Sequence, residues 1–128
     1  MEFPKNTKPV RDESREERIS MEIVVDAYDA AERAMGWYSY LEDKLNVPFL
    51  TRCVTERATS PLQVGDEIEV VGMAPEDECQ HEMFVETPRE HWRTLAVPLS
   101  QLKVVHGDKE TVQAVEDWHY WVGMGNEF

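Results

Sequence analysis

Cysteine is scarce in this 128-residue chain, which contains only Cys53 and Cys79. The two form no Cys-x-x-Cys motif, and Cys79 with His81 is too short a pattern to indicate a zinc site. So few cysteines do not build a disulfide framework. We therefore predict two reduced thiols, as is typical of a cytoplasmic protein.

Long apolar runs are missing as well. No stretch approaches the roughly 18 consecutive apolar residues that a membrane-spanning helix needs. The opening residues, through Ser20, contain no apolar segment of the kind found in secretory signal peptides. The sequence therefore predicts a cytoplasmic protein that makes no contact with membranes.

The usual motifs of catalysis are also absent. The sequence has no G-x-S-x-G motif and no glycine-rich loop of the kind that holds phosphate groups. Cys79 lies near His81, but its acidic neighbours are expected to raise the pKa of the thiol and to lower its reactivity. We predict that the protein is not an enzyme. The alternative is a metal-dependent hydrolase that uses the carboxylates described below.

Basic residues are half as numerous as acidic ones, with 13 Lys and Arg against 26 Asp and Glu. The formal net charge of −13 repels nucleic acid and anionic membranes, and it attracts cations or basic partners. An apolar fraction of 41% is enough for a hydrophobic core in one domain of this length. Acidity that serves only solubility is the alternative interpretation.

The periodicity of the chain predicts an α+β fold. After a flexible tail over residues 1–11, charges at helical spacing predict a helix from Asp12. Asp29 and Glu32 match a capping box, and Pro48 ends the helix predicted over residues 29–46. The apolar stripe of that helix is predicted to contain Ala31, Met35, Tyr38, Leu41 and Leu45.

Residues 49–105 change to a period of two and predict four or five short strands. The L-x-V-G-D-x-I-x-V pattern within them is typical of a small SH3-like antiparallel β-barrel flanked by N-terminal and C-terminal helices. A last helix is predicted from Asp108 to Gly123, with an apolar side formed by Val112, Val115, Trp118 and Val122. We expect one domain over residues 12–123 and a C-terminal tail over residues 124–128.

Four carboxylates in seven residues form the most pointed feature of the sequence, and no Lys or Arg lies among them. Carboxylates this close repel one another, and a hard cation such as Ca²⁺ relieves that repulsion with oxygen ligands. A solvated loop is the alternative. The candidate calcium ligands of this loop are Glu76, Asp77, Glu78 and Glu82.

A second acidic set brackets the helix over residues 29–46. Asp26 and Asp29 lie at its start, although Asp29 is also expected to be its N-cap. Glu42 and Asp43 lie at its end, where negative charge opposes the helix dipole unless a cation, or Lys44, compensates. A third pair, Glu116 and Asp117, is predicted to lie on a solvated face of the last helix. No EF-hand loop is present.

Four blocks of this sequence together resemble a small family of bacterial calcium-binding proteins of the cyanobacterial type. The resemblance covers about residues 21–123 and is carried by EIVVDAYDAAERAMGWYSYLEDKLNVPF, VGDEIEVVGMAPEDECQHEMFVE, AVPLSQL and VEDWHYWVG. It implies a calcium binder without an EF-hand, built on an SH3-like barrel with added helices.

The function predicted from these observations is the binding of calcium ions, by a buffer or a sensor, through surface carboxylates. The alternative is a protein-interaction module whose acidic surface and barrel bind a basic partner protein. The two functions are compatible, because a calcium sensor needs a target.

Overall fold

A computed structural model describes residues 11–89 and 93–125 of the chain. Of the tails predicted over residues 1–11 and 124–128, residues 1–10 and 126–128 lie outside the described part. The described part contains three α-helices and six β-strands. It contains no helix whose length and apolar character would let it cross a membrane.

The first helix, α1, spans Glu13–Arg18 and continues directly into a π-helical turn over Ile19–Ile23. Asp12 caps α1, because its Oδ1 accepts a hydrogen bond of 3.0 Å from the backbone N–H of Arg15. None of the residues of α1 is buried, whereas Ile19 and Ile23 belong to the core. The predicted helix from Asp12 is confirmed.

The second helix, α2, spans Ala30–Lys44 and begins at the predicted N-cap. Asp29 Oδ1 accepts a hydrogen bond of 2.8 Å from the backbone N–H of Glu32. The carboxylate of Glu32 reaches back to the N–H of Tyr28, at 3.2 Å, and not to that of Asp29 as in a full capping box. The helix is therefore confirmed with a modified cap.

The buried face of α2 differs from the predicted stripe. Its buried residues are Ala34, Trp37, Tyr40 and Leu41, while Ala31 and Met35 are exposed. The ring of Trp37 packs edge-on against Trp118, with ring centroids 5.1 Å apart. Aromatic rings bury more apolar area than Ala or Met, so they decide which side of the helix faces the core.

The strands form two antiparallel sheets of three strands each. The first sheet has the order β2-β1-β6 and the second the order β3-β4-β5. The mixture of helices with antiparallel sheets confirms the α+β class. The strands are β1 (Phe49–Cys53), β2 (Glu67–Val70), β3 (Gly72–Met73), β4 (Phe84–Arg89), β5 (Arg93–Pro98) and β6 (Leu102–His106).

The predicted closed barrel is not confirmed, because the strand pairings of the described residues leave two separate sheets. Only Val71 lies between β2 and β3, and its N–H donates to the carbonyl of Glu86 at 2.9 Å. The chain thus passes from one sheet into the other at Val71 instead of extending one continuous ladder.

The third helix, α3, spans Lys109–Gly123 and ends at the predicted glycine. Asp108 caps it through a 2.8 Å hydrogen bond from the N–H of Thr111 to its Oδ1. Val115 and Trp118 are buried as predicted, but Val122 is exposed. The aromatic residues again determine the buried face, since Trp118 packs with Trp37 in the shared core.

Candidate metal centre

The segment from Pro75 to Glu82, called here the acidic loop, connects β3 to β4. A 3₁₀ turn over Glu76–Cys79 forms its first half, and the N–H of Glu78 donates to the carbonyl of Pro75 at 2.9 Å. Cys79 is buried and anchors the loop, because its Sγ accepts a 3.3 Å hydrogen bond from the N–H of Phe84. The turn therefore holds three acidic side chains in solvent.

Glu76, Asp77 and Glu78 are exposed, and in the part of the chain that the structure describes none of them forms an ion pair. Glu82 differs from them. Its two carboxylate oxygens accept hydrogen bonds of 2.7 and 2.9 Å from the guanidinium of Arg57. Among residues 11–89 and 93–125, three of the four predicted loop carboxylates thus have no ion-pair partner, and the fourth has one.

The charge of the loop acts on its own thiol. Burial raises the pKa of Cys79, and the negative charges of Glu78, Asp77 and Glu76 raise it further. Both cysteines are free and buried. The two thiols are free, as predicted, and the raised pKa of Cys79 disfavours its reactive thiolate form.

Helix α2 reaches the acidic loop through Tyr38, whose hydroxyl donates a 2.8 Å hydrogen bond to the carbonyl of Ala74. Burial raises the pKa of Tyr38, and the negative charges of Glu42, Glu76 and Glu86 raise it further. The electrostatic surroundings of one hydroxyl thus include the end of α2 and the acidic loop. These are two acidic sets that the sequence placed far apart.

Glu86 was not among the predicted ligands. It lies on β4, where its carboxylate accepts a 3.2 Å hydrogen bond from the hydroxyl of Thr94. The strand alternates buried Val85 and Thr87 with half-buried Phe84 and Glu86. The sequence contains this alternation, so it predicts that Glu86 faces away from the core. It does not predict that this face of β4 lies near Tyr38.

In the part of the chain that the structure describes, no hydrogen bond or ion pair joins Asp26, Asp29 or Asp43 to the acidic loop. Asp29 is occupied as the N-cap of α2, and Asp26 is exposed with a φ of 58° in the turn before it. Asp43 lies 3.8 Å from the ammonium of Lys44. The two ends of a 15-residue helix are about 20 Å apart, so one ion does not bind ligands from both.

Calcium is chemically matched to this donor set, since it takes six to eight oxygen ligands at about 2.3–2.6 Å from carboxylates, carbonyls and water. Within residues 11–89 and 93–125, however, no group of three or more Asp, Glu, His or Cys side chains is close enough to hold a metal. The donors therefore fit a hard cation, but the exposed side chains have to rotate inward to complete its coordination.

A family model described as calcium binding, that of CcbP, matches residues 17–122 of the chain. The chain belongs to the CcbP family of calcium-binding proteins. The resemblance noted in the sequence is thereby confirmed, and calcium binding is the function of the family.

Two solved structures resemble this CcbP-family chain closely. The crystal structure of Anabaena CcbP is 41% identical, covers 94% of this chain and 98% of its own, and has a TM-score of 0.82. A structure described as a calcium-binding protein in the calcium-binding form is also 41% identical. It covers 92% of this chain and 96% of its own, with a TM-score of 0.78. A comparison with curated proteins gave no significant match.

Asp117 corrects the prediction of a solvated face on the last helix of this CcbP-family protein. Its side chain is fully buried, while its neighbour Glu116 is exposed. Arg18 binds both carboxylate oxygens, at 2.9 and 2.7 Å, and Arg15 adds a third hydrogen bond at 3.0 Å. The hydroxyl of Tyr40 donates a fourth at 2.8 Å.

The buried carboxylate changes its neighbours. Burial together with the hydrogen bond to Asp117 raises the pKa of Tyr40 to about 12. The same carboxylate raises the pKa of Arg18, so the guanidinium stays charged at any physiological pH. Asp117 thus links α1, α2 and α3 through hydrogen bonds. Because two arginines already bind its carboxylate oxygens, Asp117 is not available as a metal ligand.

Proposed function

We propose that this CcbP-family protein binds Ca²⁺ at the acidic loop, with Glu76, Asp77 and Glu78 as the principal ligands. One observation carries the proposal: three exposed carboxylates share one 3₁₀ turn, and no cationic side chain pairs with them in the described residues. Glu42 and Glu86 add negative charge near Tyr38, as Glu76 does.

The physical reason is the mutual repulsion of the carboxylates. Two unit charges about 4 Å apart near a protein surface interact by about 4 kcal/mol at an effective dielectric constant of about 20. Water and rotation of the side chains reduce this repulsion in the free protein. A divalent ion attracts each carboxylate and offsets the repulsion between them, so an uncompensated acidic turn favours binding of Ca²⁺.

The other predicted ligands have smaller roles in this proposal. Glu82 joins the ion only if Arg57 releases it, and Asp29 keeps its function as an N-cap. Asp26 and Asp43 are both exposed and lie at opposite ends of α2, so each remains a candidate ligand of a separate, weaker site.

Calorimetric titration of chelator-treated protein with Ca²⁺, repeated in excess Mg²⁺, tests the proposal. We expect saturable binding that survives Mg²⁺. In the triple variant Glu76→Gln, Asp77→Asn, Glu78→Gln, the affinity should fall at least about tenfold, which corresponds to about 1.4 kcal/mol.

The matched control removes the same charge from exposed residues of α1 and the π-helical turn, through Glu13→Gln, Glu17→Gln and Glu22→Gln. Its calcium affinity should change by less than about twofold, because charges beyond about 10 Å are largely screened in physiological salt. Equal losses of affinity in the two triple variants would show that only net charge matters, and the assignment of the site would be wrong.

Several finer features belong to the same proposal. We propose that the two sheets correspond to an SH3-like barrel that has opened, which is supported by the passage from β2 into β3 at Val71. We propose a cytoplasmic protein without catalytic activity that acts as a calcium buffer or sensor. Two buried free thiols support that location. Near-ultraviolet circular dichroism with and without Ca²⁺ separates a buffer, which keeps its shape, from a sensor.

A basic partner protein is the second part of the functional proposal. The specific observation that favours it is a groove beside the acidic loop, lined by apolar side chains of α2 and α3 and by acidic side chains of the loop.

A further inference from the structure

A groove of about 1130 Å³ runs between the first half of α2, the C-terminal part of α3 and the acidic loop. Ala31 and Met35 of α2 and Trp121 and Val122 of α3 are among its lining residues. Met35 is 49% exposed and Val122 is 39% exposed. Two helices therefore present apolar side chains to solvent along one continuous depression.

The rim of the groove is negative. Glu76, Asp77 and Glu82 of the acidic loop line it, and no Lys or Arg does so among the residues that the structure describes. Glu82 is compensated by Arg57, whereas Glu76 and Asp77 have no ion-pair partner there. An occupant with positive charges beside an apolar surface is therefore electrostatically complementary to this groove.

We propose that the groove binds one amphipathic helix of a partner protein. Its apolar face would cover the side chains of α2 and α3, and Lys or Arg residues at its edge would contact Glu76 and Asp77. The volume exceeds the range of about 300–1,000 Å³ that is usual for small-molecule sites. Alanines along α2 let another helix approach closely, and helices commonly bind in apolar grooves of this kind.

Calcium opposes this binding, and that part of the inference rests on the proposed calcium site. Glu76 and Asp77 belong both to the rim of the groove and to the proposed ligand set. A bound Ca²⁺ neutralises their charge and removes the attraction for Lys and Arg. The groove itself, with its apolar lining, does not depend on the calcium site.

The experiment uses the full chain without calcium and a fluorescein-labelled peptide of about 18 Leu and Lys residues, arranged so that one helical face is apolar. The control peptide has the same composition in a scrambled order that places Leu on every face. We expect the amphipathic peptide to bind at least tenfold more tightly in fluorescence anisotropy, and to shift the emission of the tryptophans. Equal affinities would mean that charge alone attracts the peptide, and would overturn the proposal.

A variant that fills the groove locates the binding site. Ala31→Phe, at an exposed residue of the lining, should weaken binding of the amphipathic peptide at least tenfold. Ser39→Phe, at an exposed position of α2 outside the lining, should change it less than twofold. Unchanged binding in Ala31→Phe would overturn the proposal. So would sedimentation of the unmodified protein as a dimer that Ala31→Phe dissociates, because a second copy would then be the occupant.

Saturating calcium separates this inference from the function on which it rests. We expect Ca²⁺ to weaken peptide binding about fivefold in the unmodified chain and not at all in the Glu76→Gln, Asp77→Asn, Glu78→Gln variant. A flat calcium titration together with retained peptide binding would reject the calcium site and leave the groove. Saturable calcium binding with equal affinities for both peptides would reject the groove and leave the calcium site.

Discussion

Asp117 and the acidic loop place the same carboxylate chemistry in opposite surroundings. Asp117 is fully buried and accepts hydrogen bonds from two arginines and a tyrosine. Glu76, Asp77 and Glu78 lie in solvent, and no cationic side chain pairs with them in the described chain. Both groups carry negative charge, but only the first is neutralised within the protein.

The difference follows from what each environment requires. A buried charge without partners costs several kcal/mol, so Asp117 depends on partners that the fold supplies. An exposed charge is hydrated and tolerates the absence of a partner. Charges that the fold leaves uncompensated in one turn therefore remain available to a ligand from solution. We infer that Asp117 contributes to structure and that the loop contributes to function.

The strongest test of this comparison removes the charge of Asp117. Asp117→Asn removes the counter-charge of Arg18 and the nearest of the three carboxylates around Arg15, and we expect the free energy of unfolding to fall by about 3 kcal/mol. Urea unfolding monitored by tryptophan fluorescence measures it. The control is Glu116→Gln, at an exposed neighbour on the same helix, which should stay within about 0.5 kcal/mol of the unmodified protein. Equal effects of the two substitutions would contradict a structural role specific to Asp117.

Calcium itself should stabilise the protein, because a ligand that binds only the folded state shifts the unfolding equilibrium. At a free Ca²⁺ concentration of about 100 times the Kd, the gain is about 2.7 kcal/mol for one site. Thermal unfolding with and without Ca²⁺ measures it. The gain should persist in any Asp117 variant that still folds, and should disappear in the Glu76→Gln, Asp77→Asn, Glu78→Gln variant. A gain that survives in that triple variant would place the site elsewhere.

Asp29 lies between the two cases, since it is an exposed carboxylate with a structural contact. Asp29→Ala removes the N-cap of α2 and should lower the free energy of unfolding by about 1 kcal/mol. Its calcium affinity should stay within about twofold of the original value. Asp108→Ala, which removes the equivalent cap of α3, is the matched control for stability. A large loss of calcium affinity in Asp29→Ala alone would restore Asp29 as a ligand.

The sequence predicted local features well because short-range patterns determine them. The N-caps Asp29 and Asp108 and the strands of both sheets follow from residue types at fixed spacing. The three uncompensated carboxylates of the acidic loop could also be found in this way. The closeness of Glu76 to Tyr38 could not, because it depends on how α2 packs against the loop.

Asp117 shows the opposite limit of sequence interpretation. Beside Glu116 it resembles an ordinary solvated pair, and its partners Arg15 and Arg18 are about one hundred residues away in the chain. Ion pairs at helical spacing within α1 gave no sign that two of its arginines turn toward another helix. Tertiary contacts thus decide whether a charge is buried. The hydrophobic periodicity and the composition of the sequence do not reveal these contacts.

His119 lies on the same helix as Asp117, and its substitution is expected to change stability least. Burial lowers its pKa and outweighs two opposing influences, the 2.6 Å hydrogen bond from its Nε2–H to the carbonyl of Leu102 and the negative charge of Glu116. The ordinary pKa of histidine is about 6.5, and below that pH the side chain of His119 takes up a proton more readily in the unfolded chain than in the folded one. The contribution of His119 to stability is therefore present above that pH and is lost as the pH falls.

The free energy of unfolding, measured at about pH 7.5 and about pH 5.5, should decrease less in His119→Gln than in the unmodified protein. An identical decrease in both would mean that His119 titrates freely in the fold. In that case burial would not explain how the ionisable side chains of α3 behave. The difference between Asp117 and the carboxylates of the acidic loop would then come from the arginine partners of Asp117.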